Sequence, residues 1–289
     1  MTTNLDLSTL TPWLRRGRES IDTLTPRLID TYRATLSPHL AALGPDEAPP
    51  AIHWCLAPEA APASSVGPDG HPLTGDFLPP VPLPRRMWAG GRVETMAPLK
   101  TGDRVMRRST IAGITAKEGR SGVLCFVTVE HEFSTERGVA IRERQDLVYR
   151  NSANAVAGPA GTRAADPAAA VPAGDRALMW TVQATPVLLF RYSALTFNSH
   201  RIHYDLPYAT AAEGYQGLVV HGPLQASLLL NLAATLGGAM PRIFEYRASA
   251  PLIAGGTFIV CGGRRSDDGL ACWSQSEAGE RTMEATAAW

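Results

Sequence analysis

The stretch from Asn151 to Asp175 limits the fold more than any other part of this chain. It is dominated by Ala, Gly, Pro, Asn and Asp. A segment with so few large apolar side chains has little to bury against the entropy of ordering it, and it reads as a linker. The apolar residues therefore have to be gathered on either side of it, in residues 1–150 and residues 176–289. Each part has the length of an ordinary domain.

The second part sets out its elements clearly. Ala177 to Val182 reads as a strand and Pro186 to Thr196 as a helix. A polar loop follows, then an apolar helix from Pro223 to about Leu236 that Gly237 and Gly238 bring to an end. Strands are expected over 242–248, 257–261, 270–275 and 281–287, with turns at 254–256 and 266–269. The first part shows the same order with more interruption. Residues 1–21 are polar and mixed, an arm or a poor helix. Thr25 is a candidate N-cap with Pro26 in the first turn, and Leu28, Ile29, Tyr32 and Leu36 follow at helical spacing. Residues 46–84 are rich in Pro, Ala and Gly around a short apolar island at 52–56. The long loop from Gly67 to Gly75 reads as a lid or edge over a ligand site. From Arg86 to Tyr149, β-rich runs alternate with turn residues as an antiparallel meander. Helix followed by meander, twice, makes the chain an α+β protein of two similar halves. The repetition lies in the order of elements, with no repeat detected in the residues.

Composition narrows the function classes. Lys and Arg balance Asp and Glu at a net charge of zero, which gives no reason to expect nucleic acid or an anionic membrane as partner. No apolar run approaches the ~20 residues of a spanning helix, and the N-terminus lacks the basic and apolar regions of a secretory signal. Cys55, Cys125, Cys261 and Cys272 have no metal or redox spacing, so free thiols in a cytoplasmic protein are expected.

The chemically capable groups crowd into two neighbouring stretches. The first carries Thr196, Asn198, His200, His203 and Asp205. The second runs from Tyr215 through His221, Gly222 and Pro223 into the apolar helix as far as Ser227. Proline at a first helical position is tolerated because its missing N–H would have no intrahelical partner. The free amides beside it, Gly222 above all and Gly217 as a second candidate, can face an electron-rich oxygen with help from the helix dipole. An imidazole beside an amide-lined carbonyl site is what chemistry on an acyl thioester requires. Three histidines within about twenty residues raise the question of a metal, but no carboxylate stands at diagnostic spacing and none is expected.

These residues resemble the signature of the MaoC-like hydratases and dehydratases, and Leu195-Thr-Phe-Asn-Ser-His-Arg-Ile-His-Tyr-Asp205 is similar to the type 2 hydroxyacyl-thioester dehydratase branch. Within that branch, the bacterial hydratases acting on mesaconyl-C4-CoA and itaconyl-CoA are most alike. Leu78-Pro-Pro-Val-Pro-Leu-Pro-Arg-Arg-Met-Trp-Ala-Gly-Gly91 and Gln145-Asp-Leu-Val-Tyr-Arg150 extend the likeness to the first half. The resemblance implies a double hot-dog fold whose first half is degenerate, a homodimer, and an acyl-CoA substrate that is hydrated or dehydrated. No cofactor is implied beyond the CoA of the substrate. It places the catalytic histidine on His203, and the family's catalytic Asp falls on Asn198. A carboxamide neither gives nor takes protons at neutral pH, so Asn198 is either an orienter of water or a turn residue. Ser227 is either a hydrogen-bonding support of the catalytic pair or an ordinary helix serine. His221 is expected to shape the backbone before Gly222. Arg85 and Arg86 are candidates for CoA phosphates or a substrate carboxylate. The alternatives are a general 3-hydroxyacyl-thioester dehydratase, a thioesterase using Glu213, and an acyl-CoA-binding module without turnover.

Overall fold

In the computed structural model the described residues are 5–44, 46–119, 122–151, 177–264 and 269–289. The expected linker therefore lies outside them apart from Asn151, as does most of the turn expected at 266–269. The first half contributes β1 (Gly17–Thr23), α1 (Pro26–Leu36), β2 (Arg85–Thr95), β3 (Arg104–Gly119), β4 (Gly122–Thr135) and β5 (Gly138–Arg150). The second contributes β6 (Ala177–Gln183), α2 (Pro186–Thr196), α3 (Gly222–Gly237), β7 (Ile243–Ala248), β8 (Thr257–Arg264), β9 (Leu270–Ser276) and β10 (Arg281–Ala288).

All ten strands form one antiparallel sheet in the order β1-β3-β4-β5-β2-β7-β10-β9-β8-β6. Read outward from the central β2–β7 seam, the two halves have the same connectivity. The seam pairs Gly90 with Arg247 through to Glu94 with Ile243. A bulge separates Trp88 from Gly90 in β2. A Cβ on Gly91 would collide with the Arg144 carbonyl and the Tyr246 ring, so glycine permits the close approach there.

The repeat is also written in the residues, contrary to the expectation above. Both α1 and α2 open Thr-Pro-x-Leu-(Ile/Leu)-x-x-Tyr-x-Ala, from Thr25 and from Thr185. Thr25 Oγ1 accepts the Leu28 amide at 3.2 Å and Thr185 Oγ1 accepts the Leu188 amide at 3.1 Å, the same N-cap in both halves. Tyr32 and Tyr192 occupy equivalent, fully buried positions. A repeat this short is submerged by the differences around it.

A second correction concerns residues 1–21, expected as an arm or a poor helix. Residues 17–23 form edge strand β1, paired to β3 from Gly17 with Thr110 to Thr23 with Arg104. Gly-Arg-Glu-Ser-Ile-Asp-Thr has no apolar face to reveal a strand, and the ladder of β3 imposes the conformation.

The helix α3 runs through the centre of the second half. Leu224 to Ala234 are buried without interruption, as expected of a helix with sheet or loop on every side. It packs on β8, β9 and β10. At the equivalent place in the first half, between α1 and β2, stands the Pro-rich segment 37–84. Its prolines do not support a long helix, and only short 3-10 turns such as Ile52–Cys55 form. Among the described residues the first half therefore has no counterpart of α3. Asn231 of α3 fastens the segment: its Oδ1 accepts the Ala41 amide at 3.2 Å, and its Nδ2 donates to the carbonyls of Pro50 at 3.2 Å and Ser227 at 2.8 Å. Tyr32 donates to the same Pro50 carbonyl at 2.8 Å. Among the described residues no helix is long and apolar enough to cross a membrane.

The buried Asn231 link yields a stability prediction. Asn231→Ala leaves the Ala41 amide without its acceptor and opens a void, so the unfolding free energy falls by about 2 kcal/mol. Urea denaturation of the two proteins measures it, and an unchanged midpoint would refute the link.

Candidate active site

Helix α2 stops where Phe197 turns left-handed, at φ 51°, and the chain then crosses over the N-terminus of α3. A short 3-10 turn from Arg201 to His203 points the His203 ring inward. His203 is buried, and its Nδ1 lies 2.7 Å from the Val219 carbonyl oxygen. A carbonyl only accepts, so Nδ1 carries the hydrogen and Nε2 keeps its lone pair. Burial, partly offset by the Val219 contact, lowers the pKa to about 4. His203 is thus a neutral base at physiological pH.

His221 stacks on His203, with ring centroids 3.6 Å apart, and its Nε2 meets Ser193 Oγ at 2.8 Å. It is fully buried and is also the N-cap of α3. It gives the His203 ring a flat support. Gly222 opens α3, and its N–H has no hydrogen-bond partner among the described residues. Gly222 lines a cleft with Asn198, His200, His203, Trp88 and Arg86. A Cβ on Gly222 would stand 3.0 Å from the Trp88 ring, which forms the facing wall.

Asn198 lines the cleft at the turn that follows α2. Its Oδ1 accepts the His200 amide at 3.0 Å, a local turn contact. Its Nδ2 has no partner among the described residues and is left as a donor in the cleft. The NH2 is thus the part of Asn198 left to meet a bound molecule. Asp205 caps the next turn, its Oδ1 accepting the Tyr208 amide at 3.0 Å.

Two sequence candidates are placed away from the cleft lining. Gly217 packs under Ile253, where a Cβ would come within 2.9 Å of that side chain. Ser227 is fully buried, one turn inside α3, with its Oγ 3.0 Å from the Tyr192 hydroxyl. It belongs to the Tyr192 side of the core and makes no hydrogen bond to Asn198 or His203.

The two arginines divide. Arg85 is buried and tied to Glu213, Nε to Oε2 at 3.0 Å and a guanidinium N–H to the backbone carbonyl at 2.7 Å. The other Glu213 oxygen accepts from Tyr208 at 3.2 Å. Arg85 thus fixes the turn at Glu213, and Glu213 is not the free carboxylate a thioesterase needs. Arg86 also lines the cleft but has no ion pair among the described residues, and its charge acts on His71, His200 and Tyr149.

Sequence reasoning passed over Trp88, Asp69 and His71. The last two sit in the loop read as a lid, and that loop does reach the cleft. Asp69 Oδ2 lies 2.9 Å from His71 Nδ1, and the His71 ring is 4.0 Å from that of His200. Asp69, His71 and His200 present atoms within 4.8 Å of one another, as metal ligands would. The Asp69–His71 hydrogen bond and the neighbouring Arg86 charge speak against a dication there.

Comparisons with known proteins give the family and the fold. The family model described as hydroxyacyl-thioester dehydratase type 2 matches residues 51–254. The chain is 41% identical over 275 residues to a mesaconyl-C(4)-CoA hydratase of Chloroflexus aurantiacus, covering 95% of both chains. Among solved structures, a MaoC-like dehydratase superposes with a TM-score of 0.70 at 16% identity, over 96% of this chain and 98% of the other. A Mycobacterium tuberculosis protein described as a double hotdog superposes with a TM-score of 0.56 at 16% identity, over 95% of each chain. At such identities the structural likeness concerns the fold, which is the double hot-dog.

The His203 environment predicts a specific tautomer. Nitrogen-detected NMR of the folded protein should show His203 neutral and protonated on Nδ1 down to about pH 5. The unfolded histidine titrates near 6.5, so the stability contributed by neutral His203 is complete above that pH and is lost as pH falls toward about 4. Titration of His203 near 6.5 in the folded protein would contradict the assignment.

Proposed function

The chain belongs to the hydroxyacyl-thioester dehydratase type 2 family, and on that footing we propose that it is a hydro-lyase acting on an enoyl-CoA thioester. It adds water across the double bond, or removes it in reverse, and its substrate is a C5 dicarboxyl-CoA such as mesaconyl-C4-CoA or itaconyl-CoA. The observation that carries this reading is the pairing, in one cleft, of neutral His203 with the unpartnered Gly222 N–H at the start of α3.

The chemistry follows from the groups. A thioester carbonyl accepting from Gly222 N–H is polarised, and negative charge developing on its oxygen is favoured by the helix N-terminus. The double bond conjugated to it becomes electron-poor at Cβ. His203 Nε2 accepts a proton from water as the water oxygen attacks Cβ. Asn198 Nδ2 donates to that oxygen and sets its direction. Water addition is redox-neutral, so no redox cofactor takes part.

Arg86 supports the dicarboxyl part of the reading. It is the cleft cation without an ion pair among the described residues, and a guanidinium suits a carboxylate. The relative from Chloroflexus aurantiacus, named for mesaconyl-C(4)-CoA, supports the same acyl group.

Enoyl-thioester absorbance tests the proposal with mesaconyl-C4-CoA, itaconyl-CoA and crotonyl-CoA offered in parallel. The wild-type protein is expected to bleach the diacid thioesters, and His203→Ala to slow this by about 10²-fold or more. Arg86→Gln should raise KM for the diacids about tenfold or more while leaving KM for crotonyl-CoA unchanged. Release of free CoA without a hydrated product would replace the proposal with a thioesterase. Binding with no turnover of any thioester would replace it with a binding module.

A further inference from the structure

Hydration moves protons at two places, off the water and onto Cα. His203 serves one of them. Asn198 serves neither, since its amide has no accessible protonation equilibrium. A second proton-carrying group has to be sought among the side chains that line the cleft. Glu213 is locked between Arg85 and Tyr208. His200 has its ring pressed between those of His71 and His203, at 4.0 and 5.5 Å, and burial holds its pKa at about 2. His71 differs from both. Its Nδ1 faces Asp69 Oδ2 at 2.9 Å, and its backbone N–H donates to Asp69 Oδ1 at 3.0 Å. A carboxylate acting on Nδ1 fixes the ring, leaves Nε2 to exchange protons, and stabilises the imidazolium.

The loop that carries this pair is fastened to the signature stretch. Arg201 N donates to the Asp69 carbonyl at 2.9 Å, and the Arg201 guanidinium donates to the Pro68 carbonyl at 2.9 Å. Ser199 Oγ donates to the Gly70 carbonyl. Gly70 has φ +88°, and a Cβ there would collide with the Ser199 carbonyl. The loop of the first half is thereby held in register with residues 198–203 of the second.

We propose that His71, oriented by Asp69, is a second catalytic acid–base residue, and that this pair takes the role of the carboxylate absent at position 198. In hydration, His203 Nε2 takes a proton from water while the oxygen–Cβ bond forms. The π electrons move into the thioester as an enolate held by Gly222 N–H. Imidazolium His71 releases its Nε2 proton to Cα, the enolate electrons form the new C–H bond, and the thioester carbonyl is restored. The proton left on His203 returns to His71 through solvent before the next turnover. Dehydration is the reverse, with His71 removing the Cα proton and His203 protonating the departing hydroxide.

The charges facing His71 give this acid a link to the substrate. Burial, and after it the Arg86 charge, holds the His71 pKa below the usual histidine range, while the Asp69 hydrogen bond and the charges of Asp69 and Glu59 favour its imidazolium. The rings of His200 and His203 face it too, and a charge on His71 opposes a charge on either. A substrate carboxylate paired with Arg86 cancels the opposing cation, so His71 is protonated more readily when a diacid is bound. This link rests on the dicarboxyl reading above, and the acid–base assignment does not.

The test follows kcat and KM against pH for the full-length wild type, His71→Gln and Asp69→Asn, each with mesaconyl-C4-CoA and crotonyl-CoA, with circular dichroism to verify folding. His71→Gln should lower kcat by about 10²-fold or more on both substrates, leave KM within about threefold, and abolish the alkaline limb. Asp69→Asn should retain a weaker activity whose alkaline limb lies at lower pH, a shift that a merely structural residue would not give. In the wild type, that limb should lie at higher pH for the diacid than for crotonyl-CoA. If Arg86→Gln leaves diacid KM untouched while His71→Gln loses kcat on crotonyl-CoA, the carboxylate subsite is wrong and the acid–base assignment stands. Retention of kcat within about threefold in folded His71→Gln, or a loss confined to KM, would overturn it.

Discussion

The hydrogen bond between His203 Nδ1 and the Val219 carbonyl decides what the cleft can do. The two segments trade contacts, since Val219 N also donates to the Ile202 carbonyl at 2.9 Å. Val219 is in turn bridged to Ile253 at the far side. The ring is therefore set by backbone on one edge and by the His221 face on the other, with little freedom to turn. An imidazole held this way presents one lone pair in one direction. Catalysis by positioned groups depends on that kind of fixed orientation more than on intrinsic basicity.

The two halves of the fold have parted in role. Repeated topology sets equivalent helices and strands on both sides of the β2–β7 seam, but only the second half keeps a long central helix. That helix supplies Gly222 and the floor under His203. The Pro-rich segment at the same place in the first half follows no regular element, and it is free to supply wall and edge. Trp88, Arg85 and Arg86 come from the start of β2, and Asp69 and His71 from the loop before it. The cleft is thus assembled across the seam. Neither half contains the full set of groups that touch it.

Much of this was legible in the residues because long periodic elements and a dense signature leave little choice. The apolar run of α3, the meander after Arg86 and the placement of His203, Asn198 and Gly222 around one site all follow from local pattern. Other features depend on contacts distant in sequence. Edge strand β1 has no apolar face and exists through its ladder with β3. Ser227 was drawn toward the catalytic pair by resemblance, yet its hydroxyl meets Tyr192 in the core. Arg85 and Arg86 are indistinguishable as neighbours in sequence, and the Glu213 carboxylate separates their roles. Asp69 and His71 left one faint signal, an Asp-Gly turn beside a histidine in a loop too long to be idle. The repeated Thr-Pro helix start was readable and passed unnoticed, because ten residues of likeness stand between stretches that have none.

The central claim is that this cleft adds water across one double bond, with the thioester left intact. Hydration of mesaconyl-C4-CoA in 2H2O, followed by proton NMR of the product, tests it most directly. One deuterium at Cα in a single configuration, a hydroxyl at Cβ and no free CoA are the expected result. Deuterium in both configurations, or free thiol without a hydroxylated product, would contradict it.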